Sequence, residues 1–490
     1  MEHTHYTIVD GHPSLFNDDL APLAPADRKW GWFEIFNVWS NDIQSLFGYT
    51  LAATLFVSSG LNGWWVFAGI ILAGAIVMGL VNLTGKPSVM YGIPYPVMAR
   101  AAMGIRGANF PALIRGTVAI FWYGVQTYFA STAVAMLLYA LFGGEGGATF
   151  LGLTAMDWIA YVFVSVFQVA LFMRGIDWIT KFLNWAGPLV YAVMIALALY
   201  IWFAAGNQIF GALGSIFSPT EGERGGIGAF LGVVGTMIAY FAAVIINYGD
   251  FSRFVKTEGA MKFGNFMGLP VSLAVFSFLA MFITAGTVVI FGETLTNPAE
   301  IVAKVDHILL TLIAAVTFFA ATVGINLVAN FIPPAYDLAN LSPSRISART
   351  GGFITAGIAF FIGAFWVSVI SAIGIAGFVD TLGAVLAPLY GILVADYYLV
   401  HKSRLNLQDL FATPPSGEYF YDNGWNRRAM IAFGIAAVFS VATVWVPGLG
   451  FLSGFAWIIG AIVGGALHVW LMRDRMQMIA QRLAGASVAE

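Results

Sequence analysis

The chain has 490 residues, 59% of them hydrophobic and 10% charged, against about 25% charged in ordinary soluble domains, so water is not its main solvent. A formal charge of −3 implies no nucleic-acid or polyacidic partner, and the absence of cysteine excludes disulfides and thiolate metal sites. The apolar stretches run for about 18 to 28 residues without sustained alternation, which fits helices crossing a bilayer and not strands.

Twelve spans are expected, beginning near Phe33, Leu61, Ala108, Ala155, Trp178, Gly228, Gly268, His307, Gly352, Ile375, Ala429 and Phe451. Placing connectors on alternate sides puts all but Arg224 and Lys304 of the 22 Lys and Arg on one side, from Arg28 and Lys29 to Arg473, Arg475 and Arg482. Basic residues concentrate in cytoplasmic loops, so both termini are expected in the cytoplasm of a multi-pass cell-membrane protein, the inner membrane if the source is bacterial.

Residues 1–31 read as a polar cytoplasmic tail. The first span carries Ser40-Asn41-Asp42-Ile43-Gln44-Ser45 where a lipid-facing helix would carry leucine, which predicts an interrupted helix with a polar site. Residues 86–107, with Pro87, Pro94 and Pro96, read as an irregular linker with a short surface helix. In the third span Trp122 and Gln126 are four residues apart and share a face: a flat apolar plate beside an amide. The sixth span has Gly232 and Gly235 and then Asn247-Tyr248-Gly249-Asp250, a second interrupted helix. The eighth has Asn326 and Asn330, again on one face. Two broken first helices and two amide-bearing third helices fit a pair of inverted repeats, about 32–205 and 226–400, within a core of 32–400. A cytoplasmic loop at 401–428, two peripheral helices in 429–472 and a tail at 473–490 complete the chain.

Uncharged amides beside an aromatic plate suit a neutral planar ring with N–H and C=O edges better than an amino acid, whose charges call for opposite partial charges. The expected activity is therefore secondary transport of such a ring.

The segments Tyr91-Gly92-Ile93-Pro94, Gly104-Ile105-Arg106-Gly107, Phe121 to Thr127, Asn326 to Tyr336 and Ala395 to Val400 resemble the nucleobase:cation symporter-1 family, carriers of hydantoin, allantoin, uracil and cytosine. The resemblance covers most of the chain. It implies an all-α fold of two inverted five-helix repeats plus two C-terminal helices, with ligand held between spans one, three, six and eight. By position it makes Trp122 the stacking aromatic and Gln126 and Asn330 hydrogen-bonding amides. Phe241 stands where the family often has a second tryptophan, and Gln44 is the first-span amide, with Asn41 and Ser45 as alternatives.

At the sodium site of sodium-coupled relatives, the resemblance expects a Ser-Thr pair on span eight, but this chain has Gly324 and Ile325. A hard cation wants oxygen ligands and two are missing; Thr322 lies about 200° around the helix from Gly324. Asp42 adds a carboxylate at the first-helix break, either as a proton carrier or as an ionised helix cap. The expectation is proton coupling without sodium dependence, against a sodium-coupled or facilitative alternative. No cofactor or bound metal is expected. An embedded enzyme is disfavoured by the lack of His-Glu-x-x-His and Gly-x-Ser-x-Gly motifs and by the scatter of His307, His401 and His468.

Overall fold

In the computed structural model, residues 8, 10–143, 147–215, 225–305 and 307–486 are described. Among them nine helices are long and apolar enough to cross a membrane. In chain order these are Gly63–Tyr91 (span two), Asn109–Phe142 (three), Ala155–Met173 (four), Ile176–Ala205 (five), Glu258–Phe291 (seven), Ile308–Leu341 (eight), Ile375–Val400 (ten), Arg427–Trp445 (eleven) and Ala456–Ile479 (twelve). The other three spans are broken or short: Trp32–Ile43 with Leu46–Ser58 (one), Ile227–Tyr240 with Ala242–Asn247 (six), and Ala348–Ala364 (nine). Large apolar side chains such as Phe163, Phe203, Phe361, Val438 and Ile462 point outward, as lipid-facing surfaces require. Arg224 lies outside the described residues.

Spans three, four, eight and nine pack together as a scaffold, and spans one, two, six and seven lean on it, with span five against spans one, seven and eight. Spans eleven and twelve pack on span ten. The face on which span one begins and span twelve ends is called the base, and its opposite the upper face.

The break in span one is held by capping bonds on both sides. Ser45 is extended (φ −60°, ψ 154°) and its side chain accepts from Gly48 N at 3.0 Å, an N-cap for the upper half-helix. Leu46 N donates to Thr322 Oγ1 at 3.1 Å across to span eight, and Tyr240 Oη lies 3.0 Å from Asp42 O on the lower half. Gly48 is needed here, because a Cβ would stand 2.6 Å from Ile43 O.

Span six breaks at Phe241 (φ −83°, ψ −2°), away from the expected glycines, and is interrupted again at Tyr248, inside the expected run Asn247-Tyr248-Gly249-Asp250. Gly235 instead admits the backbone of the connector before span twelve: a Cβ would fall 1.4 Å from Gly454 O. The linker expectation is also corrected. Span two stays helical to Tyr91 through Pro87, and Tyr95–Met103 forms a short helix that is buried throughout, not a surface one.

Span eight contains a π turn, Asn326–Phe331, and further π turns lie at Met267–Val271 and Asp396–Val400. Residues from about 12 to 30 cross the base as a strap: Leu23 N donates to Gly92 O, Arg253 to the carbonyls of Asp19 and Ala21, and Ala348 N to Asp19 Oδ2.

His401 and His468, far apart in sequence, meet at one carboxylate. His401 Nδ1 and His468 Nε2 each lie 2.9 Å from an Asp396 oxygen, fastening span twelve and the 401–428 loop to span ten.

Candidate functional site

The two helix breaks meet at Tyr240, whose side chain reaches Asp42 and Ser45 of span one and Trp122 and Gln126 of span three. Trp122 on span three is edge-on to Phe47, Tyr240 and Phe378, at centroid distances of 5.0, 5.7 and 5.1 Å. Phe47 also meets Phe129 and Trp366. These rings, from spans one, three, six and ten and the turn after span nine, form one aromatic cluster, called the aromatic lid, on the upper side of the breaks.

Gln126, one turn above Trp122, is buried and its Oε1 has no partner. Its side chain lies against the Tyr240 hydroxyl. Gln44 closes the lower half of span one; Nε2 donates to Ser40 Oγ at 2.5 Å, while its Oε1 is buried without a partner. Buried carbonyl oxygens nearly always find a donor, so Gln44 Oε1 and Gln126 Oε1, like Asn37 Oδ1 and Asn41 Oδ1 on span one, are acceptors still open to a donor.

Asn330 sits in the π turn and donates to Asn326 Oδ1 at 3.1 Å. Asn326 is committed elsewhere: its amide nitrogen reaches Tyr123 O, Thr127 Oγ1 and Gln168 Oε1, binding span eight to spans three and four. An amide nitrogen has a second hydrogen, so Asn330 keeps one for a ligand carbonyl.

Phe241 is fully buried with its ring against Trp39 (5.9 Å) and Tyr240 (4.8 Å). The residue that meets Trp122 directly from span six is Tyr240, which the sequence reading passed over although it adjoins Phe241. Asn41 is turned toward spans five and eight: its amide nitrogen donates to Asn37 O and Leu183 O, and its Oδ1 would lie 3.3 Å from a Cβ on Gly324. Ser45 serves the helix break. Asp42 Oδ1 accepts from Tyr240 Oη at 2.8 Å, so the bond described to its carboxylate comes from a side chain and not from the backbone N–H groups a helix cap would use.

Beside Gly324 the space is filled by Asn41 and Leu183, and the Thr322 hydroxyl accepts from Leu46 N. A polar cavity of about 560 Å³ at the upper end of span three, between Tyr128, Tyr139, Asp157 and Glu300, is separate from this centre.

Two interrupted helices packed on a scaffold, enclosing orphan amides and an aromatic plate away from both faces, define a membrane transport protein, not an enzyme. Residues 22–463 match the family of permeases for cytosine and purines, uracil, thiamine and allantoin, and the chain belongs to this family, the nucleobase:cation symporter-1 transporters. It is 34% identical to an allantoin permease of Bacillus subtilis over 94% of this chain and 93% of that one. It is 30% identical to a purine-uracil permease of Arabidopsis thaliana, over 97% and 80%. The fold is shared with the Mhp1 transporter in a closed conformation with bromovinylhydantoin bound: TM-score 0.78, 23% identity, 94% and 96% of the two chains.

Proposed function

We propose that this protein is a symporter that imports a neutral planar nucleobase or cyclic ureide, of uracil, hydantoin or allantoin type, by alternating access, driven by protons and independent of sodium. The observation that carries the substrate class is the pair of orphan acceptors, Gln44 Oε1 and Gln126 Oε1. The ring stacks on Trp122 with Phe241 as the facing plate; two N–H groups donate to the glutamines and a ring carbonyl accepts from Asn330. The permeases of allantoin and of purines and uracil among its relatives carry rings with such edges.

In this reading residues 32–400 are the transport unit, both chain ends are cytoplasmic, and the aromatic lid is the outer gate. Asp42 takes up the proton. Tyr240 joins it to the ligand site, since one side chain touches Asp42, the Trp122 ring and Gln126. Sodium dependence is disfavoured because Gly324 and Ile325 bring no hydroxyl and Asn41 fills the space beside Gly324. One observation favours the sodium-coupled alternative: Asn41 Oδ1 is itself unpartnered, a hard oxygen at that contact.

Uptake of radiolabelled allantoin, hydantoin and uracil into proteoliposomes separates these. Replacing sodium by choline should leave accumulation intact, an uncoupler should abolish it, and Asp42→Asn should bind ligand without concentrating it. Uptake that rises several-fold with sodium at constant pH refutes the proton reading.

A further inference from the structure

Below the ligand site, toward the base, three spans converge on one guanidinium. Arg115 on span three is fully buried. Its Nε donates to Ala243 O at 3.1 Å, and Nη2 donates to Asn247 Oδ1 and Ala329 O, both at 2.8 Å. The other terminal nitrogen, Nη1, has no partner. Arg115 thus ties span three to the lower half of span six and to the π turn of span eight, across the boundary where alternating access must part the two groups of helices.

Two carboxylates flank it. Asp250 is satisfied: Oδ1 accepts from Tyr95 N at 2.7 Å and Oδ2 from Asn247 Nδ2 at 3.1 Å. Asp337 on span eight is 1% exposed, and neither of its oxygens has a partner. Its Cβ would lie 3.4 Å from a methyl placed on Gly116, so it packs on the residue that follows Arg115. Asp250 has the guanidinium of Arg253 beside it as well as that of Arg115, whereas Asp337 is buried without a hydrogen-bond donor, a setting that penalises the ionised form. The ionised partner of Arg115 is therefore Asp250, and the proton of the cluster belongs on Asp337.

We propose that Asp337 is a second ion-coupling residue, which holds a proton in this closed state and releases it when span six parts from spans three and eight. The proposal rests on the proton coupling argued above. Parting removes Ala243 O and Asn247 Oδ1 from Arg115, and its free Nη1 then pairs with the Asp337 carboxylate. The Asp337 O–H bond breaks, the proton passes to water entering from the cytoplasm, and Arg115 keeps its charge throughout. A proton arriving along the ligand pathway when the site faces outward restores the closed state. The other titratable groups around Asp337 are Tyr95, from the buried helix Tyr95–Met103, and Asp250. Span nine packs on another side of span eight, through Gly351 against Ala335 and Leu338.

The test uses the full chain in proteoliposomes with [14C]allantoin. Asp337→Asn, permanently neutral, should exchange internal for external allantoin at the parent's rate yet fail to accumulate it above equilibrium under a proton gradient. Accumulation equal to the parent's overturns the role of Asp337 and leaves proton coupling standing. A parent that follows sodium and ignores protons overturns proton coupling itself, and the role of Asp337 with it. A second measurement needs no ligand: in the infrared spectrum of the purified parent at neutral pH, Asp337→Asn should delete, and Asp337→Glu should move, one component of the protonated-carboxyl stretch. Spectra of parent and both variants that superimpose in that region overturn the proposal whichever ring is carried, and Asp337→Glu decides it alone if the asparagine variant does not fold.

Discussion

Replacing Gln126 by leucine should change ligand-free stability and ligand affinity in opposite directions. Leucine has nearly the volume of glutamine, so the substitution removes the amide without opening a cavity. In the empty protein, Gln126 Oε1 is buried without a donor, a state that costs about 1 to 3 kcal/mol. The contact with the Tyr240 hydroxyl offsets about 0.5 to 1.5 kcal/mol of that. Gln126→Leu should therefore leave the empty protein unchanged in stability or more stable by up to about 2 kcal/mol. The ligand loses its acceptor, and a buried ring N–H goes unpaired for about 1 to 3 kcal/mol, a fall of about 5- to 150-fold in affinity. Thermal unfolding in detergent across an allantoin titration reads both quantities from one set of curves. A variant that is less stable when empty yet binds as tightly as the parent would refute the assignment, because the oxygen would then be structural.

Asn330→Ala should weaken binding by about 1 to 3 kcal/mol, and an analogue blocked at the edge that Asn330 reads should lose less on the variant than on the parent; equal losses show that Asn330 does not read that edge. Trp122→Phe keeps the lid closed while shrinking the plate, so affinity should fall several-fold with folding intact, whereas Trp122→Ala should also cost about 3 to 5 kcal/mol of stability for the hole left among Phe47, Tyr240 and Phe378; unchanged affinity in folded Trp122→Phe would remove the stacking role. Burial disfavours the imidazolium of His401, but the Asp396 carboxylate outweighs this and holds its pKa above the ordinary value. The stabilisation is thus complete below about pH 6.5 and lost as pH rises through the raised value, so the melting temperature should fall over that window in the parent and stay flatter in His401→Gln.

The spans were legible because lipid selects for length and apolarity, which are local properties of the sequence. The break in span one was legible too, since a run from Ser40 to Ser45 has no use on a lipid-facing helix. In span six the interruption at Tyr248 was legible in Asn247-Tyr248-Gly249-Asp250, but the break at Phe241 was not. Phe241 carries no local signal, whereas Gly232 and Gly235 looked like breakers but are occupied by helix packing against Gly454. Spacing placed Trp122 with Gln126, but it cannot tell which side chains from other spans reach them, so Tyr240, Phe47 and Phe378 were missed. Nor can it separate Asn41, whose amide nitrogen is turned to Leu183 of span five, from Gln44, whose amide nitrogen stays on span one with Ser40. Arg115 was read as a mark of topology, and Asp337 was hidden beside two prolines at the end of an apolar run. Their meaning is a property of three helices crossing.

The π turn in span eight has a consequence for how such carriers diversify. It holds one residue more than the α-helical ladder on either side requires. A lineage that loses a single residue between Asn326 and Phe331 keeps a helix of nearly the same length and so still inserts. Because the wide turn spreads its rotation over one residue more than an α turn, the segment then closes into regular α-helix while both flanks keep their facing. One codon thereby removes the bulge that carries Asn330 and the Ala329 carbonyl bound by Arg115, without turning the rest of the span. Alignments that slip a gap into this stretch describe the loss of a bulge, and the contacts on either side of it can be inherited unchanged.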